Sequence, residues 1–155
     1  MLLTTILNHV QKLKSFVYKK AQWANAEKTE IDVLVEARGN SQPICRQYGR
    51  VGPHHGRQTV SRFSYLQVWG IPMTLVYAPI RVNCFWCGIR VESLPSTLTE
   101  SSMSPLTKSY AWHLARWAKR LLWSKTAKAF QTKRDSVCQD VSLAAQWGQA
   151  HRDPS

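Results

Sequence analysis

Acidic residues are scarce in this chain: nine Asp and Glu stand against 21 Lys and Arg, a formal net charge of +12 over 155 residues. None of the nine falls in a recognisable catalytic arrangement, and two-metal phosphoryl transfer needs converging carboxylates. The scarcity therefore argues against an enzyme of that kind. It also leaves a positive field that draws polyanions, nucleic acid first among them. Long apolar runs are lacking too. No stretch approaches the roughly 20 residues needed to cross a bilayer. Met1 to Leu7 is apolar but short, with no charged segment before it and no small-residue cleavage site after it, so it does not read as a secretory signal. No membrane partner is expected, and a reducing cytoplasm is. In that compartment the four cysteines, Cys45, Cys84, Cys87 and Cys138, read as metal ligands or buried thiols rather than disulfides. The sequence also contains no His-x-Glu, which a zinc-dependent nucleobase deaminase requires.

What is present suffices for a packed core. Apolar residues make up 44% of the chain, and there are seven tryptophans. Such large side chains are expected mainly as core anchors, with base stacking as the lesser use.

The pattern predicts an α+β chain in two modules. In the first, Leu3, Ile6, Val10, Leu13 and Val17 recur at spacings of three and four, which predicts a helix through the first twenty residues. Strands are expected at Ile31–Ala37, Phe63–Trp69, Met73–Tyr77, Arg81–Cys84 and Ile89–Ser93, paired antiparallel. The Gly-, Pro-, Arg- and His-rich stretch from Arg38 to Arg62 reads as loop. This module, residues 1–93, is expected to be zinc-ribbon-like. Residues 94–105, rich in Ser, Thr and Pro, form the expected linker. Residues 106–152 are expected to be an all-α helix-turn-helix module, with helices around Tyr110–Leu121, Ser124–Phe130 and Lys133–Gln149. Ser124 is the expected N-cap of the second helix, and Thr132-Lys-Arg-Asp135 has the spacing of a capping box for the third.

Chemistry concentrates in two places. Cys84-Phe-Trp-Cys87-Gly88 lies between two strands, a spacing that lets both thiolates reach one ion while the glycine lets the backbone turn beneath it. A redox pair would instead open a helix. Cys45-Arg-Gln-Tyr48-Gly49 has the same spacing and trailing glycine, but tyrosine stands where the second ligand belongs. The expected cofactor is a zinc ion held by Cys45, Cys84 and Cys87, weakened by Tyr48, with the fourth position open to His54 or His55. Cys138 is expected to be a small buried residue.

In the helical module, Lys133, Arg134, Ser136 and Gln139 at the start of the third helix are the expected readers of duplex DNA. Lys125, Lys128, Arg116, Lys119 and Arg120 are expected to contact phosphate. Asp135 and Asp140 would repel a nearby phosphate, and no glycine stands in the Gln131-Thr132 turn.

Several blocks together resemble the N-terminal portion of insertion-sequence transposases of the ISL-three family. They are Pro43-Ile-Cys45-x-x-x-Gly49-Arg50, Val68-Trp69-Gly70-Ile71-Pro72, Arg81-Val-x-Cys84-x-x-Cys87-Gly88, Leu114-Ala-Arg-Trp117-Ala118 and Ala150-His-Arg-Asp153. The resemblance covers nearly the whole chain. It implies a zinc finger and a helix-turn-helix that engage terminal inverted repeats in bacterial DNA, close to the nucleoid and alongside intact transposase of the same family. It also implies a following DDE catalytic domain, which would begin about where this sequence stops at Ser155. A truncated, non-catalytic DNA-binding fragment is therefore expected. Tyr48 and the Gly52-Pro-His-His-Gly56 loop depart from the family pattern. They keep open an alternative, an inert and partly folded remnant of a decayed element.

Overall fold

The computed structural model describes residues 2–10, 12–13, 15–94 and 108–150. Among these residues the chain is mixed α+β, with four helices and two small sheets. The expected linker lies outside the described residues except for Leu94, as do residues 151–153 of the closing Ala-His-Arg-Asp block.

Helix α1 (Leu3–Val10) is followed by β1 (Phe16–Trp23) and β2 (Ile31–Ala37). Then come β3 (His54–Arg57), β4 (Ser61–Val68), β5 (Ile71–Tyr77), β6 (Ile80–Cys84) and β7 (Gly88–Val91). Helices α2 (Lys108–Ala118), α3 (Trp123–Ala129) and α4 (Arg134–Ala150) complete the order. The described residues fall into two compact units. One draws on Met1–Phe63 and Met73–Pro95, the other on Ser64–Pro72 and Ser96–Ser155. The tip of the β4–β5 hairpin thus groups with the helices, where the sequence assigned it to the first module.

The single long N-terminal helix is corrected. Leu13 and Val17 continue the helical spacing, but the chain leaves the helix after Val10 and Phe16–Trp23 pairs antiparallel with β2, Phe16 opposite Ala37. Phe, Val and Tyr in succession suit a pleated surface, and ladder pairing outweighs a spacing that a strand can also satisfy. Asn8 ties the helix to the edge strand. Its amide donates to the Tyr18 carbonyl at 3.0 Å, and its oxygen accepts from the Tyr18 N–H at 3.2 Å, next to a bulge between Tyr18 and Lys20.

The first sheet runs β1-β2-β5-β4. It is not wholly antiparallel as expected, because β2 and β5 pair in parallel, Ile31 opposite Met73. A parallel neighbour requires a long crossover, and the 38–70 segment supplies it. Arg62 braces this sheet with a two-pronged contact to Asp32, both arms at 2.7 Å, and one of those arms also reaches Glu30 at 3.0 Å. Hydrogen bonding to Asp32 raises the Arg62 pKa further, against the effect of burial. Glu30 also accepts from the Thr74 hydroxyl at 2.7 Å.

The second sheet runs β3-β6-β7, all antiparallel, so part of the expected 38–62 loop is strand. Between β5 and β6 the chain passes from one sheet to the other through Ala78-Pro79, proline having no N–H to continue a ladder. Buried Glu92 joins this region: its carboxylate accepts from the Tyr77 hydroxyl at 2.6 Å and the Ile80 N–H at 2.7 Å.

Among the described residues tyrosine, not tryptophan, fills the interior. Tyr18, Tyr65, Tyr77 and Tyr110 are buried, whereas Trp23, Trp69, Trp86, Trp112, Trp117 and Trp123 are all exposed. This overturns the expectation of tryptophan core anchors. An indole is too large to be fully enclosed in units this small. The helical core is Tyr110, Leu114, Ala118, Ala127, Phe130 and Val137, with Val141 packed on it.

Candidate functional site

The first cysteine turn closes on itself. The Cys45 N–H donates to the Arg50 carbonyl at 2.7 Å and the Gly49 N–H to the Cys45 carbonyl at 2.8 Å, with Ile44 bridged to Val51. The second turn joins β6 to β7, with Cys84 opposite Gly88. Gly49 and Gly88 both adopt left-handed backbone, φ 64° and 71°, a conformation costly for any residue with a Cβ. A bridge between Cys45 and Glu92, and a bond from the Ser93 N–H to the Ile44 carbonyl at 2.8 Å, lay the first turn beside β7.

The consequence is a cluster of three thiols. The sulfurs of Cys45, Cys84 and Cys87 all lie within 4.8 Å of one another, and those of Cys45 and Cys87 are 3.5 Å apart. Cys45 and Cys84 are buried and Cys87 is half-buried. Zn–S bonds of about 2.3 Å in a tetrahedral site put sulfurs roughly 3.8 Å apart, so the spacing fits a shared ion. Burial opposes ionisation of Cys84. The Trp86 and Cys87 N–H groups and the neighbouring thiols outweigh it, and its pKa falls below that of a free thiol. Cys87 moves the opposite way, first through burial and then through its bonds to Cys84 and Cys45. Cys84 therefore ionises more easily than Cys87, and a bound cation would favour the thiolate form of both.

His54 is not part of the cluster. It stands in β3 opposite Val82 and is exposed, as is His55, because the stretch expected to fold back as a loop pairs as a strand instead. Tyr48 is half exposed, with its ring 6.1 Å from that of Trp86. Cys138 lies half-buried on α4, in the other unit.

Most of the residues expected to meet DNA are exposed on the helical unit: Lys133, Arg134, Gln139, Lys125, Lys128, Arg116, Lys119 and Arg120. Ser136 is half-buried. Arg116, Lys119 and Arg120 line an open depression of about 1100 Å³ with Val141, Ala144, Ala145 and Gly148, so they flank the second half of α4. Asp140 is buried, away from the exposed face, and loss of hydration raises its pKa to about 6. Asp135 remains exposed beside Arg134.

The helix ends differ in detail from expectation. Leu122, not Ser124, caps α3, without a side-chain bond. Helix α4 starts at Arg134, and the Lys133 carbonyl accepts from the Val137 N–H at 3.1 Å, which moves the cap one residue beyond Thr132. The turn between α3 and α4 is tight. Gln131 is left-handed at φ 51°, the Gln131 N–H donates to the Lys128 carbonyl at 3.3 Å, and the Thr132 N–H donates to the Ala127 carbonyl at 2.9 Å. This paired hydrogen bonding is the Schellman ending that normally carries glycine.

Sequence reasoning missed the surroundings of the second cysteine turn. Arg50 lies over the Trp86 ring, 4.7 Å from its centroid, and Phe85 packs edge-on against Trp86. Adjacent aromatics inside a Cys-x-x-Cys turn were the available signal, since side chains at the tip of a tight turn have little protein to bury against. No described helix is long and apolar enough to cross a membrane. Compared with protein families, with characterised proteins and with solved structures, the chain matches none.

Proposed function

We propose that this chain is a DNA-binding protein whose helical unit is a helix-turn-helix, with α4 as the recognition helix in the major groove. The observation that carries the reading is the tight left-handed turn at Gln131. It joins a short helix to a longer one whose first turns leave Arg134 and Gln139 exposed. Arginine pairs with guanine and glutamine with adenine through two hydrogen bonds each. Lys125 and Lys128 on α3, with Arg116, Lys119 and Arg120 on α2, would hold phosphates and set the register. Burial of Asp140 supports the reading, because it takes one of the two acids of α4 off the exposed face. The β unit would be a zinc-ribbon-like module holding its ion through Cys45, Cys84 and Cys87. The family role suggested by the sequence blocks is recognition of a mobile element's terminal inverted repeats, without chemistry of its own and in the company of intact transposase.

The test is selection of bound duplexes from a random pool, followed by titration of the selected site at several salt concentrations. A single enriched site is expected. Arg134→Ala and Gln139→Ala should each lose roughly 5- to 150-fold on that site, the range of one bidentate base contact. Lys125→Ala should weaken all duplexes alike and flatten the salt dependence. Enrichment of no sequence, together with equal binding of every duplex by the wild type and both variants, would sink the reading.

A further inference from the structure

The second cysteine turn ends in side chains that the fold does not use. Phe85 is 92% exposed and Trp86 55% exposed, and Tyr48 of the first turn, 52% exposed, lies against Trp86 with the rings 30° apart. Leaving a phenylalanine in water forfeits the free energy of burying it, and three such rings at the tips of two adjacent turns form a patch rather than a scatter. The exposed charge on these two turns and the strands of the second has one sign, for Glu92, bridged to Cys45, is buried. From Ala37 to Val91 the chain has no Asp, Glu or Lys, and its charged residues there are arginines alone. Arg62 is committed to Asp32 and Glu30. Arg50 lies on Trp86, and Arg81 and Arg90 are exposed on the strands that carry the second turn. Guanidinium groups stack on planar rings and fork onto phosphate, which ammonium groups do less well.

We propose that Tyr48, Phe85 and Trp86, with Arg50, form a stacking platform for the unpaired bases of single-stranded nucleic acid. Exposed aromatic faces accept any base, and interleaved cations follow the backbone. A protein partner of matching chemistry would have to be acidic and aromatic. A second copy of this surface would set arginines against arginines. The platform is separate from the duplex contacts proposed for α3 and α4, and neither reading needs the other.

The probe is fluorescein-labelled dT12, titrated by anisotropy against the full chain in zinc-containing buffer, beside a blunt duplex of equal length. Phe85→Ala and Trp86→Ala should each weaken dT12 binding about 5- to 100-fold, the range of one base–aromatic stack, while duplex binding stays unchanged. Lys125→Ala should show the reverse pattern. Phe85→Tyr should retain dT12 binding, because a phenol presents the same stacking face to a base. If Trp86→Ala loses zinc or its circular dichroism signal, Phe85→Ala and Phe85→Tyr decide the matter alone. Unchanged dT12 binding in Phe85→Ala overturns the proposal, as does an equal loss on both nucleic acids. A change of mass in light scattering with dT12 binding intact would assign the patch to self-association instead.

Discussion

The turns of the β unit and the turn of the helical unit meet the same backbone demand with different residues. Gly49 and Gly88 sit at φ 64° and 71° beneath the cysteines, whereas Gln131 sits at φ 51° between α3 and α4. In the two cysteine turns glycine makes the backbone easy and the thiols are uneven, for one turn offers two and the other one. In the helical unit the side chains are complete, with a closed apolar core around Leu114 and Val137, and the backbone carries the strain. The lesson is that each unit has a different weak point. With zinc bound as proposed, ligand supply limits the first, and local conformation and one buried acid limit the second.

If the three thiols hold zinc as proposed, supplying a fourth should have the largest effect. Because the two turns already share a backbone form, Tyr48→Cys places a fourth thiol where the second turn has Cys87. Zinc affinity, measured by competition with a chromophoric chelator, should rise on the order of 100-fold. With zinc at a fixed concentration above both dissociation constants, that is about 2.7 kcal/mol of added stability, visible as a higher melting temperature that chelator abolishes. Unchanged affinity would mean that residue 48 does not stand at the open vertex, and the likeness of the two turns would be one of backbone only.

The next effect belongs to the helical unit and depends on pH. Asp140 is 6% exposed and its pKa is raised to about 6 by loss of hydration, above an ordinary 3.8. The folded state therefore holds the proton more tightly than the unfolded chain. The stability this brings is fully present below pH 3.8 and is lost as pH rises through 6. Above that, a buried carboxylate is carried at a cost of about 1–2 kcal/mol once solvent relaxation is allowed for. Asp140→Asn should stabilise the helices by that amount at pH 7.5 and by nearly nothing at pH 3.5, read from urea unfolding at both. A gain independent of pH would point to packing rather than charge.

How much of this was legible in sequence follows from the range of each interaction. Strand Ile31–Ala37 and the two cysteine turns are local patterns, and they emerged where the spacing put them. So did the order of the three later helices. The meeting of Cys45 with Cys84 and Cys87 was legible from the matching spacing of the two turns, and the structure brings the three together. The parallel β2–β5 pairing depends on a distant crossover and leaves no periodic trace. The end of the expected first helix shows the same limit from the other side: the helical spacing reaches Val17, but from Phe16 onward a partner strand decides the conformation. The exposed tryptophans were invisible for a further reason. Hydrophobicity shows that a side chain gains from burial, not that the fold has room for it.

The smallest effect bears most directly on the contrast between the turns. At φ 51° Gln131 occupies a region where a side chain crowds the backbone, and the bonds from Gln131 to Lys128 and from Thr132 to Ala127 hold it there. Gln131→Gly removes the crowding but gives the unfolded chain more freedom, so the net gain should be about 0.5–1 kcal/mol. For a unit of this size that is a rise of roughly 2–6 °C in the helical melting transition. The β unit should be unaffected, because the substitution lies in the other unit and the cysteine turns already carry glycine. Duplex binding should also stay within about twofold, since the residue shapes the turn and is not proposed to touch a base. If Gln131→Gly instead melted earlier, the glutamine side chain would be contributing more than its backbone costs. The helical turn would then hold its shape through side-chain contacts, and the contrast with the glycine turns would be sharper still.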